Sequence, residues 1–347
     1  MDTVSFRIRN TAIGGGAPVT IQSMTNTDTR DWEATSEQIL ALEDAGCEIV
    51  RFSVYDEKCA EAIPEIRKRT HIPLVADIHF DHRLAIKSIE NGIDKVRINP
   101  GNIGSEQKVR ELVACAKDHG VPIRIGVNGG SLEKDILAKY GVTAEGMVES
   151  ALSHVAILEK CGFRDIVVSL KASTVAKTVK ANRLMRSRSP YPLHLGVTEA
   201  GMSDSAVVKS SIGIGSLLLD GIGDTIRVSL TGDPVREVHA AKNILTAVGL
   251  RSNGVEVVSC PTCGRTRVDL ASIVRKVEEA LPATDKSLRI AVMGCAVNGP
   301  GEAREADMGI AFGSVNAVVF KKGELCYSDR LPGVVDRFIN DVIKELE

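Results

Sequence analysis

The feature that most constrains this chain is an alternation. From about residue 19 to 250, a short β-rich run ending in polar residues is followed by a helix-like stretch, and this unit recurs eight times. The strand candidates are "VTIQSM", "EIVRFSV", "PLVADIHF", "KVRINP", "PIRIGVN", "DIVVSLKA", "PLHLGVTE" and "TIRVSL". Amphipathic stretches such as "SEQILALEDAG" and "EQKVRELVACAKDHG" separate them, and several end in glycine, the usual helix stop: Gly46, Gly92, Gly120, Gly162 and Gly249. Eight βα units in roughly 230 residues match the count and length of a (β/α)8 TIM barrel. An open doubly wound sheet is the rival. Its dinucleotide signature, GxGxxG opening the helix after the first strand, is missing, and "SIGIG" around Gly213 falls inside a late helix pattern.

After Gly254 the alternation changes. "VEVVSCPTCGRT", helix-like "VDLASIVRKVEEAL", strand-like "LRIAVMGCAVNG" and "NAVVFKKGELCYS", and helix-like "GVVDRFINDVIKELE" predict a compact α+β module. The expected division is therefore a barrel over 1–252 and a second domain over 253–347, and 347 residues that are 44% hydrophobic can supply both with a core. Forty-three basic residues against 45 acidic ones leave no whole-molecule footprint for nucleic acid. No apolar run is long enough to span a bilayer, and the N-terminus lacks the apolar core of a signal peptide, so a cytoplasmic protein is expected. Eight cysteines without a secretion signal fit a reducing compartment better than a disulfide framework.

In a barrel, catalytic groups sit at the C-terminal strand ends, where residues two apart point to the same side. That spacing recurs here: Arg51 with Ser53, Asp77 with His79, Arg97 with Asn99, Ser169 with Lys171, Arg227 with Ser229, and Arg124 with Asn128 four on. His194, Thr198 and Glu199 close the seventh strand. Five cations from five strands (Arg51, Arg97, Arg124, Lys171 and Arg227) then converge on one mouth, where they repel one another unless an anion joins them. Guanidinium forks match phosphate oxygens, and glycine-containing loops such as "NPGNIG" and "VNGGS" can add backbone N–H groups. The pattern points to a phosphate or diphosphate substrate. Asp77, His79 and Glu199 are either acid/base groups or partners that orient the arginines.

Cys260 and Cys263 form "CPTC", and Cys295 opens the stretch "CAVNGPGE" that ends at Glu302. There is no second CxxC, and no histidine lies beyond His239. Three thiolates and a carboxylate, a harder ligand that suits iron, point to a [4Fe-4S] cluster with one exchangeable iron. A structural zinc site and a thioredoxin-like dithiol are the alternatives. Cys47, Cys59, Cys115, Cys161 and Cys326 have apolar neighbours and are expected to be small buried hydrophobes.

The blocks "GGGAPVTIQSMTNTDTRD", "VADIHFDHRLA", "KVRINPGNIG", "PIRIGVNGGSLEKDIL", "LHLGVTEAG", "IGDTIRVSLTGDP", "SCPTCGRT" and "GCAVNGPGEA" resemble those of the 4-hydroxy-3-methylbut-2-enyl diphosphate synthase family. The resemblance runs from about Gly14 to Gly313. It implies a TIM barrel joined to a small ferredoxin-like, sulfite-reductase-like module, with a [4Fe-4S] cluster on Cys260, Cys263, Cys295 and Glu302. The reaction it implies is the two-electron reductive ring opening and dehydration of 2-C-methyl-D-erythritol 2,4-cyclodiphosphate, with electrons from flavodoxin or ferredoxin. Its diphosphate-binding positions match Arg51, His79, Arg97, Arg124, Asn128, Lys171, Arg227 and Ser229, and Glu199 and Glu302 are the expected catalytic carboxylates. It also implies a homodimer in which the cluster module of one chain covers the barrel mouth of the other. Tyr55, where the family commonly has proline, and the blocks "LKASTV" and "GIAFG" depart from the pattern.

Overall fold

The computed structural model describes residues 3–99, 102–198, 201–202, 204–252, 254–282, 284, 286–295 and 305–346. The chain separates into two compact units, Met1–Leu250 and Arg251–Glu347.

The first unit opens with a hairpin of β1 (Phe6–Ile8) and β2 (Thr11–Ile13). Eight parallel strands follow: β3 (Thr20–Met24), β4 (Ile49–Ser53), β5 (Leu74–Ile78), β6 (Lys95–Ile98), β7 (Ile123–Asn128), β8 (Ile166–Lys171), β9 (His194–Leu195) and β10 (Thr225–Ile226). They pair in the order β8-β7-β6-β5-β4-β3-β10-β9. A parallel bridge from Val168 to Leu193, with Val168 N–H donating to Pro192 O at 2.9 Å, joins the two ends and closes the barrel. Each expected strand is found in its place, although the seventh and eighth are ladder-paired over only two residues each.

The helices are α1 (Trp32–Asp44), α2 (Glu57–Arg69), α3 (His82–Glu90), α4 (Glu106–His119), the short α5 (Lys134–Tyr140), α6 (Ala144–Lys160), α7 (Val175–Arg188), α8 (Asp204–Leu219) and α9 (Val235–Ala247). Side-chain oxygens cap several starts: Asp31 accepts from Ala34 N–H, Asp56 from Cys59 N–H, and Thr143 from Gly146 N–H. All five glycines read as helix stops have positive φ, between 65° at Gly120 and 90° at Gly46, the left-handed turn that glycine adopts without strain. "SIGIG" lies within α8, as its pattern implies. Outward strand residues such as Val50, Phe52, Ala76, Ile98, Ile125 and Leu170 form the large core beneath the helices.

Sequence reasoning passed over the hairpin. Ile8 and Ile13 pack with Ile49, Val75 and Val167, which are inward residues at the starts of their strands, so the hairpin stoppers the barrel at its N-terminal end. Its signal was the alternation of "FRIRNTAI" around Asn10.

The second unit contains β11 (Val255–Ser259), α10 (Leu270–Ala280), β12 (Leu288–Met293), β13 (Met308–Phe312), β14 (Asn316–Lys321), β15 (Glu324–Arg330) and α11 (Gly333–Leu346). Its five-stranded sheet keeps chain order; β11, β12 and β13 are parallel, and β13, β14 and β15 antiparallel. The expected single strand "NAVVFKKGELCYS" is instead a hairpin, because Lys322 and Gly323 both take positive φ and turn the chain back. Phe312, Val319, Phe338 and Val342 centre a separate core. Cys47 and Cys59 are buried as expected and Cys115 and Cys161 partly so, whereas Cys326 is exposed on β15. Among the described residues no helix is long and apolar enough to cross a membrane.

Ile13 is fully buried in the stopper, and truncation leaves a cavity that nothing nearby can fill. Ile13→Ala is expected to lower barrel stability by about 2–5 kcal/mol. The single tryptophan, Trp32, lies on α1, so denaturant unfolding followed by its fluorescence reports this unit; an unchanged midpoint would exclude the packing role of the hairpin.

Candidate active site

Register decides which side chains enter the barrel. Arg97 pairs with Asp77 on β5 and with Arg124 on β7, and Arg51 pairs with Met24 on β3 and Val75 on β5. Because neighbours along a strand alternate, this places Arg51, Asp77, Arg97, Arg124, Lys171 and Arg227 on the inner face. Four of the expected residues form one network. Arg97 Nη1 donates to Asp77 Oδ1 at 3.1 Å, Arg51 Nε lies 3.9 Å from Asp77 Oδ2, and His79 Nε2 lies 3.2 Å from the same oxygen. Arg97 Nη2 also donates to Gly126 O at 3.1 Å. Burial pushes the Asp77 carboxyl toward its neutral form, but Arg51, the His79 hydrogen bond and Arg97 outweigh it and hold Asp77 well below the usual carboxylate range. Asp77 is therefore the ionised partner that orients two arginines and the half-exposed His79.

A second carboxylate was missed from sequence. Glu237, on α9, is buried and takes Arg227 in a two-point grip, with Nε to Oε2 at 3.0 Å and Nη2 to Oε1 at 3.1 Å. Ser23 Oγ donates to Oε2 at 3.0 Å and Leu230 N–H to Oε1 at 3.0 Å, which fixes the carboxylate. Glu237 sits in a helix pattern without strand-end spacing, so only the need of Arg227 for a partner could have pointed to it. Met24, at the end of β3, receives N–H groups from Arg51 at 2.9 and 3.1 Å and from Arg227 at 3.4 Å on its sulfur.

The remaining two cations are more deeply placed. Arg124 is almost wholly buried and donates from Nη1 to Gln22 Oε1 at 3.2 Å. Lys171 is buried at the end of β8. Among the described residues no carboxylate lies within ion-pair distance of either. Burial first, then the charge of neighbouring cations, lowers both Arg124 and Lys171 well below their ordinary values. Burial likewise lowers Arg51 to about 10, which leaves it cationic at neutral pH. Five inward cations thus face two carboxylates, Asp77 and Glu237.

Two glycines, Gly126 within β7 and Gly196 directly after β9, make room for these side chains. A Cβ on Gly126 would stand 2.4 Å from Arg97 Nε, and one on Gly196 would stand 2.6 Å from Lys171 Nζ and 2.7 Å from Arg227 O. Glycine inside a strand marks such close approach. Asn128 opens a cavity of about 440 Å³ that Gly129, Gly130, Ser131, Ala172, Lys177 and Thr198 also line. Asn99 Nδ2 donates to Ser131 Oγ at 2.9 Å and ties the loop after β6 to the loop after β7. Ser229 is partly buried two residues beyond Arg227. His194, expected at the mouth, lies fully buried within the barrel, its Nδ1 2.8 Å from Thr225 Oγ1. Glu199 lies outside the described residues.

In the second unit, Cys260 directly follows β11, and Gly294 and Cys295 directly follow β12, its parallel neighbour. Gly294 N–H donates to Cys260 Sγ at 3.2 Å, and Arg267 N–H donates to Gly294 O at 3.2 Å, so the two turns are tied together. The Arg265 N–H and then its guanidinium lower the exposed Cys263 thiol below its ordinary value, which favours the thiolate that metals bind. Among the described residues no group of three His, Cys, Asp or Glu side chains is assembled that could hold a single metal ion. Glu302 lies outside the described residues.

Two family models match the chain: the GcpE TIM-barrel domain over residues 3–242 and the GcpE protein C-terminal domain over residues 256–344. Relatives named 4-hydroxy-3-methylbut-2-en-1-yl diphosphate synthase (flavodoxin) include that of Caldanaerobacter subterraneus subsp. tengcongensis. It is 57% identical over 99% of this chain and 96% of its own length. The Geobacter sulfurreducens protein of the same name is 55% identical over 99% of this chain and 98% of its own. Among solved structures, dihydropteroate synthase from Yersinia pestis superposes with a TM-score of 0.50 at 12% identity, covering 71% of this chain and 98% of that one; the likeness carries the barrel fold alone. With both of its units matched and relatives of this identity along nearly its whole length, the chain belongs to the GcpE family, that of the 4-hydroxy-3-methylbut-2-en-1-yl diphosphate synthases.

Proposed function

We propose that the barrel mouth binds 2-C-methyl-D-erythritol 2,4-cyclodiphosphate and that the protein converts it, by two-electron reductive ring opening and dehydration, to (E)-4-hydroxy-3-methylbut-2-enyl diphosphate. The observation that carries this reading is the excess of buried cation over carboxylate at the C-terminal strand ends, which an anionic diphosphate would balance. The product is the one in the relatives' name.

In this reading Arg51, Arg97, Arg124, Lys171 and Arg227 hold the diphosphate, with His79, Asn128 and Ser229 adding hydrogen bonds. Asp77 and Glu237 hold the arginine forks in place before the ligand arrives, so little reorganisation is needed and the charge that develops on the leaving phosphate meets fixed donors. Glu199 is the proposed proton donor toward the departing hydroxyl.

Cys260, Cys263, Cys295 and Glu302 are the proposed ligands of a [4Fe-4S] cluster. The donor set fits: the two strand-end turns are bonded to each other, Gly294 N–H already points at one sulfur, and Cys263 favours its thiolate. When bound, the cluster supplies the electrons and a Lewis-acidic iron. Flavodoxin is the proposed electron donor, in keeping with the relatives' name, and ferredoxin is the alternative. The working form is proposed to be a homodimer that pairs the mouth of one chain with the cluster unit of the other.

Anaerobic turnover of the cyclic diphosphate with a chemical reductant, followed by product analysis, is expected to yield the linear allylic diphosphate; its absence from cluster-loaded protein would refute the reading. Cys295→Ser is expected to lose both turnover and the broad visible absorbance of the cluster, and full iron content in that variant would end the ligand assignment. Gly126→Ala pushes Arg97 off its position without touching ligand. It is expected to cut kcat/KM by about 10- to 100-fold, the loss of one charged hydrogen bond, with the barrel still folded.

A further inference from the structure

Beneath the mouth, the barrel holds a layer of polar side chains where branched apolar residues usually pack. Lys95 opens β6, two residues or about 6.6 Å along the strand below Arg97, on the same inner face. It is fully buried, and its Nζ has no hydrogen-bond partner. Three more buried atoms in this layer and the one above it lack a partner: Gln22 Nε2, Arg124 Nε and His194 Nε2. They belong together, since Arg124 donates to Gln22 at 3.2 Å and the charges of Arg124 and Lys95 both bear on His194.

The charges that bear on Lys95 are both cationic. Arg124 faces it from β7 and Arg51 from β4, and His194 lies across the barrel on β9. On β5 its register partner is the apolar Val75, and Asp77, one layer up, is engaged by Arg97, Arg51 and His79. Among the described residues no carboxylate lies within ion-pair distance of Lys95. Burial foremost, and then Arg124 and Arg51, lower its amine well below the ordinary lysine value; His194 is lowered by burial and by the same cations. A neutral amine has a lone pair, and Arg124 Nε–H and Gln22 Nε2–H are unused donors, so the free barrel has reason to keep this proton off.

We propose that Lys95 is a proton-uptake site coupled to ligand binding: neutral in the free protein, it is protonated as a diphosphate fills the mouth above it. An anion seated among Arg51, Arg97 and Arg124 cancels the charges that exclude the proton, and in a buried site that field reaches the next layer with little screening. Lys95 is thus a positioning residue, which matches the charge of the interior to that of the ligand without touching it. The proposal rests on the diphosphate reading of the mouth.

The sign of the effect follows from linkage. Binding takes up protons between the free and bound values of Lys95, so affinity falls as pH rises through that window, by up to about tenfold per unit. The test is calorimetric titration of the full-length, cluster-loaded protein with inorganic pyrophosphate, near neutral pH, in buffers of different ionisation enthalpy. Wild type is compared with Lys95→Met, which keeps the side-chain volume, and with Lys95→Gln. Pyrophosphate exchanges protons as well, and the difference between wild type and the two variants reports Lys95 together with His194, the titratable group on which its charge bears. Both variants are expected to bind with proton uptake lower by up to about one per site and a flatter dependence of affinity on pH. Equal uptake in wild type and in folded variants that bind overturns the proposal while leaving the mouth reading intact. Failure of wild type to bind pyrophosphate at all overturns the mouth reading, and this proposal with it.

Discussion

The barrel depends on a shortage of negative charge. Asp77 serves Arg51, Arg97 and His79 at once, and Glu237 is committed to Arg227, which leaves Arg124 and Lys171 without a carboxylate among the described residues. Burying an unbalanced cation costs several kcal/mol per ion, and nothing in the fold of a barrel requires it. Such an interior persists because its function needs it. The two carboxylates hold the guanidinium groups apart and aimed, and the remaining deficit gives an anionic ligand its affinity.

Strand and helix placement were legible in the sequence because period and punctuation agreed, and the positive φ at Gly46, Gly92, Gly120, Gly162 and Gly249 gives the physical reason. The i, i+2 spacing found Asp77 with His79 and Arg97 with Asn99. Applied one step further back, it would have found Lys95 below Arg97 and Gln22 below Met24, but attention to strand ends stopped at the rim. Glu237 and the stopper hairpin were beyond such reasoning, since Glu237 lies on a helix without strand-end spacing and the hairpin acts through contacts with strands far away in the chain. His194 shows the opposite error: the right face was inferred, but its depth was not, because a two-residue ladder gives no measure of how far a strand has risen. Lys322 and Gly323 explain why one apparent strand became two.

The two units share a way of building sites. In the barrel and in the smaller sheet alike, the residues of interest are set by neighbouring parallel strands, on the strands themselves in the barrel and just past their ends in the smaller sheet. Cys260 and Cys295 occupy such places on adjacent strands, and the bond from Gly294 to the Cys260 sulfur is a direct product of that adjacency. One parallel pair thus brings together residues separated by most of the unit's helix and loops, without a dedicated hairpin or disulfide.

The hairpin formed by Phe6–Ile8 and Thr11–Ile13 has a bearing on timing. Ile8 and Ile13 pack across the far end, so among the described residues that end of the barrel is shut. Anything exchanged with bulk water, whether a solvent molecule or a proton destined for Lys95, passes through the opening that a ligand occupies. A proton drawn to Lys95 therefore arrives with the ligand and by the ligand's own route, so the shut end of the barrel sets the direction from which its interior is charged.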